Sequence, residues 1–298
     1  MKPKTASRSA GVAMAVLANV FWGTVFVASS VGLAYANPYL LVFLRFVAGS
    51  IGVLGAALAL GWTHDLAHEL GKKVIWGLGS VYALGFLIQY VGQNMTSAAD
   101  ATLLSNLAPA LTPIVAYIMI REEVPRLNAV AAFIGFLGLV LIGAPKIHGG
   151  SVVGDLLLFG TSLSYAFLIV VLKKLKIDSV VSSFAIIVTI MVYLLPTALL
   201  PGGLSVSAVS FPPLAWIAIF YMGIPCGMVA IALYFKAIGS LSPTESATLL
   251  LVQLLVGLSL ASVLLGETLG PAELAGAALI LVAVGISSRG HTATRASP

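Results

Sequence analysis

The sequence predicts an all-α integral membrane protein with ten transmembrane helices, arranged as two inverted five-helix repeats. Three observations lead to this fold class: the composition, a series of charge-free intervals and a similarity between the two halves. Only 8% of the 298 residues are charged and 60% are hydrophobic, whereas a soluble domain carries about 25% charged residues. This composition excludes a nucleic-acid-binding module, a secreted disulfide scaffold and a water-soluble enzyme.

Breaks at proline, glycine and charged residues divide the chain into ten apolar segments. Each is close to the length of about 20 apolar residues that crosses a bilayer. They cover approximately residues 10–34, 38–62, 72–92, 98–120, 126–144, 152–174, 179–200, 212–237, 243–266 and 271–289. The connections are short, and the only polar stretch of any length between segments is 61–73.

The basic residues predict the orientation of the chain, because cytoplasmic loops carry an excess of Lys and Arg. With both termini in the cytoplasm, thirteen of the fifteen Lys and Arg residues fall on the cytoplasmic side. Lys146 is then the one external cation, and Arg45 is the one cation inside a segment. We therefore expect a multi-pass protein with both termini cytoplasmic.

Two stretches about 145 residues apart resemble each other. Asp100 precedes Ala-Thr-Leu-Leu, and Glu245 precedes Ser-Ala-Thr-Leu-Leu. Each opens a segment with an acidic end, at Glu122 and Glu123 in one half and at Glu267 in the other. A segment rich in small residues follows each of them, so the order of features repeats as well as the letters.

Each half holds five segments, an odd number, so the second half enters the membrane from the opposite side. We therefore divide the chain into a first repeat, residues 1–148, and an inverted second repeat, residues 149–298. Inverted repeats of this kind occur in secondary transporters, where a site near the midplane opens to either side.

Polar residues at helical spacing predict a cavity wall, since a polar side chain inside a span is costly unless it faces a cavity or a partner. In the fourth segment Thr102, Asn106, Pro109 and Pro113 share one helical face. The prolines free backbone carbonyls, which suits a wall that moves as a gate. Interhelical hydrogen bonding by Asn106 is the alternative.

The third segment carries a second stripe, with Tyr82, Phe86, Gln89 and Gln93 at the same spacing. Aromatic rings and amides on one face would accept a solute with an apolar body and a polar head. Ordinary core packing of Tyr82 and Phe86 is the alternative.

Trp22 lies near the middle of the first segment, although Trp prefers the membrane interfaces. A cavity wall and close helix packing are the two explanations. The predicted substrate-binding residues are Asn19, Trp22, Tyr82, Phe86, Gln89, Thr102, Asn106, Ser162, Tyr165 and Gln253. The predicted gating or structural residues are Arg45, Pro109, Pro113 and Pro225.

Arg45 follows Pro38 by seven residues, roughly 10 Å along a helix. Its guanidinium would either extend to the outer surface or bind a substrate carboxylate through two parallel hydrogen bonds.

The sequence resembles the EamA-type drug/metabolite transporter superfamily over essentially its whole length. The resembling features are Trp22-Gly23, Leu44-Arg45-Phe46, the acidic ends at Glu122, Glu123 and Glu267, and the glycine-rich fifth and tenth segments. The resemblance implies ten spans in two inverted halves. The superfamily keeps an Arg at the position of Arg45 for very different substrates, which favours a structural or gating role. Tyr165 stands where a Trp is common.

Within that superfamily the chain looks most like bacterial exporters of aromatic and other neutral amino acids. The resemblance thus implies a secondary transporter of the bacterial inner membrane that exports small amphipathic metabolites by alternating access through a central cavity. The expected partners are a small-molecule substrate and the lipid bilayer, with no nucleic acid, and the chain acts as a monomer or weak homo-oligomer.

Two alternatives are an intramembrane enzyme and a passive metabolite channel on the same fold. An enzyme would need a catalytic set at depth, but the four His residues lie in loops or tails and no pair of aspartates lies within the spans. We expect no catalytic residue, no metal and no cofactor.

Overall fold

The computed structural model describes residues 7–96, 103–143, 151–199, 211–265 and 270–289. All regular elements in these ranges are helical. Within these ranges ten helices are long and apolar enough to cross a membrane, which confirms the prediction of an all-α protein with ten spans. We number them span 1 (Arg8–Leu33), span 2 (Pro38–Leu60), span 3 (Lys73–Gln93), span 4 (Leu103–Ile120), span 5 (Arg126–Gly143), span 6 (Val152–Lys174), span 7 (Val180–Ala198), span 8 (Pro213–Ser240), span 9 (Pro243–Leu264) and span 10 (Pro271–Arg289).

Local sequence signals fix several span ends. Asn37 precedes Pro38 and accepts a hydrogen bond from the backbone of the first turn of span 2, while Pro38 supplies a residue that needs no backbone donor. Gly61, at φ +70°, ends the same helix in the left-handed conformation that glycine adopts readily. Span 9 begins with a reciprocal capping box between Ser242 and Glu245.

The polar stretch between spans 2 and 3 forms a short helix, Thr63–Leu70, which the sequence analysis did not assign. Its residue Leu66 is buried. Glu69 pairs with Lys72 at 2.6 Å and accepts a hydrogen bond from Ser182 at the start of span 7. This helix therefore packs along the end of the bundle instead of forming a loose loop.

Spans 4, 8 and 9 are not continuous α-helices. Span 4 is interrupted by a turn at Asn106 before the helix resumes at Ala108, next to Pro109. Span 9 has a turn at Leu250, and span 8 contains a π-helical segment, Ile224–Val229. The prolines of span 4 predicted a kink there, whereas span 9 breaks without a proline and its break was not predicted.

The main contacts between spans are the same in the two halves when corresponding spans are compared, span 1 with span 6 and span 2 with span 7. Span 1 packs on spans 8 and 9, and span 6 packs on spans 3 and 4. Span 2 packs on spans 7 and 8, while span 7 packs on spans 2 and 3. Spans 5 and 10 pack on each other through Gly138 and Gly276, where a Cβ added to Gly138 would lie 2.7 Å from the Gly276 carbonyl oxygen. Small residues allow this close approach, so these two spans form a scaffold.

Candidate functional site

A cavity of about 590 Å³ lies between eight of the spans. Spans 1, 2, 3, 4, 6, 7, 8 and 9 supply its described wall residues, and spans 5 and 10 supply none of them. Residues selected from the sequence lie on seven of these eight spans, although the one selected in span 8, Pro225, is not on the wall. Span 7 was missed, because it contributes only the apolar residues Ile186 and Ile190.

Nine residues selected from the sequence border this cavity: Trp22, Arg45, Tyr82, Phe86, Gln89, Asn106, Pro109, Tyr165 and Gln253. They come from both halves of the chain and lie on six spans. Their contact with a solute stays a prediction.

Two predicted substrate contacts, Asn19 and Ser162, do not lie on the cavity wall. Both are fully buried. The amide of Asn19 donates to the carbonyl of Ala15 one turn earlier, at 2.7 Å. Ser162 donates to the carbonyl oxygen of Leu104 at 2.6 Å and accepts from the backbone N–H of Leu107 at 3.1 Å.

Ser162 is therefore an anchor for the interrupted helix of span 4. The turn at Asn106 removes helical partners from nearby backbone groups, and a buried group without a partner is costly. Of the other predicted residues, Pro113 and Pro225 do not border the cavity, and Thr102 lies outside the described residues. A gating role for the two prolines stays a prediction.

Aromatic rings in edge-on and tilted contacts form much of the wall. Trp22 and Tyr234 have ring centroids 5.1 Å apart, and Phe86 lies 5.9 Å from Tyr165. The hydroxyl of Tyr165 donates to the Oε1 atom of Gln89 at 2.8 Å. Such ring pairs are favourable and restrict one another's orientation, so the wall is well placed to hold an apolar body.

Two amides from opposite halves meet at the interrupted spans 4 and 9. The Nε2 atom of Gln253 donates to the Oδ1 atom of Asn106 at 3.1 Å, and both residues also line the cavity. Interhelical hydrogen bonding was the alternative role considered for Asn106, and the structure combines it with a place on the wall. Interrupted helices beside a central site are a feature of secondary transporters.

A polar contact also joins span 1 to the π-helical segment of span 8. The indole N–H of Trp22 donates to the carbonyl oxygen of Cys226 at 2.9 Å. The hydroxyls of Thr24 and Tyr221 are 2.7 Å apart. A π-helical turn alters the regular hydrogen-bond pattern of an α-helix, and here a carbonyl within it accepts from a side chain of another span.

Several wall residues, among them Tyr90 and Tyr234, were not predicted from the sequence. Tyr234 donates to the backbone carbonyl of Ser246 at 3.0 Å, which links spans 8 and 9. No polar stripe surrounds Tyr234 in its apolar span, so a search for polar faces could not find it. Tyr90 follows Phe86 by four residues, and this helical spacing was the signal that could have found it.

Arg45 lies in the wall and does not extend to the outer surface. Its exposure is 6%, and its guanidinium carbon lies 5.7 Å from the ring centre of Phe46 and 5.5 Å from that of Phe86. Its Nε atom is buried and makes no hydrogen bond. No Asp or Glu is among the described residues that line the cavity.

Comparison with known proteins gives relatives that share most of the chain. A probable amino-acid metabolite efflux pump of Salmonella typhimurium strain LT2 is 25% identical over 295 residues, covering 95% of this chain and 96% of its own. The uncharacterized transporter YvbV of Bacillus subtilis strain 168 is 26% identical over 278 residues, covering 89% of this chain and 87% of its own.

A solved crystal structure shares the fold, with a TM-score of 0.77 and 21% sequence identity over 94% of this chain and 98% of the other. The sequence profile of the EamA-like transporter family matches residues 9–144 and again residues 152–289. The family and the names of the relatives indicate a transporter, not an enzyme. The chain belongs to the EamA-like transporter family and is a multi-pass membrane transporter.

Proposed function

We propose that this transporter exports small amphipathic metabolites, in particular neutral and aromatic amino acids, by alternating access through the central cavity. The observation that carries the proposal is the cavity itself. Its volume of about 590 Å³ falls in the range of roughly 300–1,000 Å³ that is usual for small-molecule sites. Its wall combines aromatic rings, amides and one guanidinium, which suits a solute with an apolar body and a polar head.

Alternating access is supported by the relation between the two halves. Corresponding spans of the two halves make corresponding contacts, which is the packing expected of inverted repeats. The family profile matches once on each side of the proposed boundary at 148/149. The interrupted spans 4 and 9 also occupy corresponding places in the two halves. Rocking of one repeat against the other would open the cavity to either side.

The substrate class is supported by the wall residues and by the Salmonella relative, whose name is probable amino-acid metabolite efflux pump. Reconstitution into proteoliposomes tests it. Vesicles loaded with unlabelled L-phenylalanine should transiently accumulate external labelled L-phenylalanine above its equilibrium level. A carrier gives this counterflow and a passive channel does not. Leucine and threonine complete the panel, and absence of counterflow for all three would contradict the proposal.

We also propose that the protein lies in the bacterial inner membrane with both termini in the cytoplasm. In this orientation Leu33 and Gln93, which line the cavity, lie near the outer ends of spans 1 and 3. Single cysteines should be labelled from outside the cell at positions 37, 146 and 267 and not at positions 72, 173 and 236. External labelling at position 173 would exclude this orientation.

Tyr82 offers a test of the cavity wall. Tyr82→Ala should weaken binding of phenylalanine by about tenfold, because the ring of the bound phenylalanine loses a stacking partner and contact area. The melting temperature should change little, since Tyr82 borders the cavity and is only partly buried. Binding and melting are both measured on purified protein.

The matched control is Tyr193→Ala. Tyr193 contacts the ring of Trp76, with centroids 5.9 Å apart, but it is 42% exposed and does not line the cavity. Its replacement should leave binding unchanged, and equal losses in both variants would show that the Tyr82 effect is indirect.

A further inference from the structure

We propose that Arg45 binds the carboxylate of the transported solute, and that the cavity selects organic carboxylates with an apolar body and does not require an ammonium group. The inference rests on the proposed function, because it names the chemical group that the transported solute must carry. It assigns to Arg45 a direct role in specificity beyond the structural or gating role implied by the family resemblance.

Arg45 is buried, and no anionic partner for it lies among the described residues. Its exposure is 6%, and its Nε atom is buried without a hydrogen bond. The salt bridges within the described part of the chain join Arg8 to Glu245 and Lys72 to Glu69, so neither uses Arg45. A buried charge is costly unless it is paired and hydrogen-bonded.

The aromatic rings beside Arg45 do not supply hydrogen-bond acceptors. Phe46 and Phe86 hold the guanidinium through cation–π contacts, which stabilise the positive charge in part. A phenyl ring has no oxygen or nitrogen acceptor, so the N–H donors of the guanidinium gain no conventional hydrogen bond from these contacts. Because Arg45 lines the cavity, a bound solute is well placed to provide acceptor oxygens. A carboxylate fits the planar fork of arginine with two parallel hydrogen bonds.

The charges and donors around the site also favour a carboxylate. Gln89 uses its Oε1 atom to accept from Tyr165, so the amide group that it keeps for a solute is the Nε2 donor. The described wall contains a guanidinium and no Asp or Glu. A solute with only an ammonium group would therefore meet a like charge, whereas a carboxylate would meet an opposite charge and a further donor.

A second arginine shows that contact with an aromatic ring does not by itself indicate a ligand-binding residue. Arg121 lies 5.3 Å from the ring centre of Tyr117, but it is exposed and lies outside the cavity. Because it is exposed, its donors are open to solvent. The difference at Arg45 is burial in the wall of a cavity, and Arg121 therefore provides a matched control.

The experiment compares three compounds that share a phenyl ring: 3-phenylpropionate with a carboxylate only, L-phenylalanine with both groups, and phenethylamine with an ammonium only. Binding to the purified protein is measured from the concentration dependence of its melting temperature. We expect the two carboxylates to bind within about tenfold of each other and phenethylamine to bind more than about tenfold more weakly than either. Phenethylamine binding as tightly as phenylalanine would overturn the proposal.

The variants test the residue itself. Arg45→Gln should weaken binding of both carboxylates by at least about tenfold and remove the preference over phenethylamine. Arg45→Lys keeps the charge without the fork and should fall between the two. Arg121→Gln should bind like the wild type. A wild-type preference in a folded Arg45→Gln protein would overturn the assignment, and if that variant does not fold, Arg45→Lys and the wild-type series decide.

The two proposals fail in different ways. If both carboxylates bind in the expected order but L-phenylalanine, leucine and threonine show no counterflow, the proposed transport is wrong and the role of Arg45 in binding stands. If phenylalanine counterflow occurs but phenethylamine competes equally, transport stands and carboxylate selection is wrong.

Discussion

The cavity and the charged end of the bundle both contain buried polar side chains, but the two regions differ in the hydrogen-bond and ion-pair partners of these side chains. We define the charged end by Arg8, Glu122, Lys173 and Glu245. There Arg8 pairs with Glu245 at 2.8 Å and also donates to the carbonyls of residues 287 and 288, while Lys173 donates to two backbone carbonyls at the end of span 8. In the cavity, Arg45 has ring faces beside it and no carboxylate among the described residues.

The partners of a buried polar group distinguish the groups that stabilise the fold from those that are available to a ligand. At the charged end the protein itself supplies the partners of Arg8 and Lys173, so these contacts join spans 1, 6, 8, 9 and 10. In the cavity no described carboxylate pairs with Arg45. Burial alone therefore does not identify a binding residue in this bundle, and its partners must be counted as well.

The largest expected effect comes from breaking the buried ion pair at the charged end. Arg8→Ala would leave Glu245, whose side chain is 1% exposed, without its cation. We expect a loss of about 2–3 kcal/mol in the free energy of unfolding, somewhat below a fully buried pair because Arg8 is 26% exposed. Chemical unfolding of the purified protein in micelles measures it.

Lys72→Ala provides the control for this comparison, because the pair of Lys72 with Glu69 has side chains that are 42% and 15% exposed. Its loss should cost less than about 1 kcal/mol. Equal effects of the two variants would mean that burial does not distinguish the two pairs, and the charged end would lose its assigned structural role.

An intermediate effect is expected at Ser162, which supports the interrupted helix beside the cavity. Ser162→Ala would remove one acceptor and one donor for the backbone of span 4, and we expect a loss of about 1–3 kcal/mol. Thr161 is the matched control, since its hydroxyl only donates back to Leu157 within span 6. Thr161→Val should be nearly neutral. If both variants unfold like the wild type, Ser162 does not stabilise the interrupted helix of span 4.

The smallest expected effect is a pH dependence at Glu122. Burial raises the pKa of Glu122 above its ordinary value of 4.5, and the nearby Glu245 carboxylate adds to this, while Lys173 and the hydroxyls of Ser242 and Thr244 act in the opposite direction. Those hydroxyls lie close to the carboxyl, but neither of its oxygens completes a well-formed hydrogen bond.

Between pH 4.5 and the raised pKa, the folded protein therefore binds more protons at Glu122 than the unfolded chain does. The free energy of unfolding should fall as the pH rises through this range, by at most about 1.4 kcal/mol per pH unit. Glu122→Gln should remove this part of the pH dependence of the melting temperature. Glu123, the neighbouring residue, is exposed and provides the control. Glu123→Gln should retain this pH dependence. A slope that is identical in both variants and the wild type would exclude Glu122 as its source.

The ten spans could be predicted from the sequence alone, because the length and hydropathy of a membrane-crossing helix are local properties. It also identified most polar wall residues, such as Tyr82 and Gln89, because a polar group stands out inside an apolar segment. The apolar part of the wall had no such signal. Ile186 and Ile190 look like any other residues of a buried helix until their neighbours are known.

The role of each polar side chain follows from its neighbours in the folded protein. Asn19, Ser162 and Gln253 are all uncharged polar residues in apolar spans. Asn19 donates to a carbonyl of its own helix, Ser162 anchors the interrupted helix of span 4, and Gln253 donates to the amide of Asn106 at the cavity wall. For Arg45 the sequence left extension to the surface and contact with a solute as alternatives, and the structure places it in the wall. A polar group buried in a bilayer must find a partner, and the partners of Ser162 and Gln253 come from another span, which the local sequence does not show.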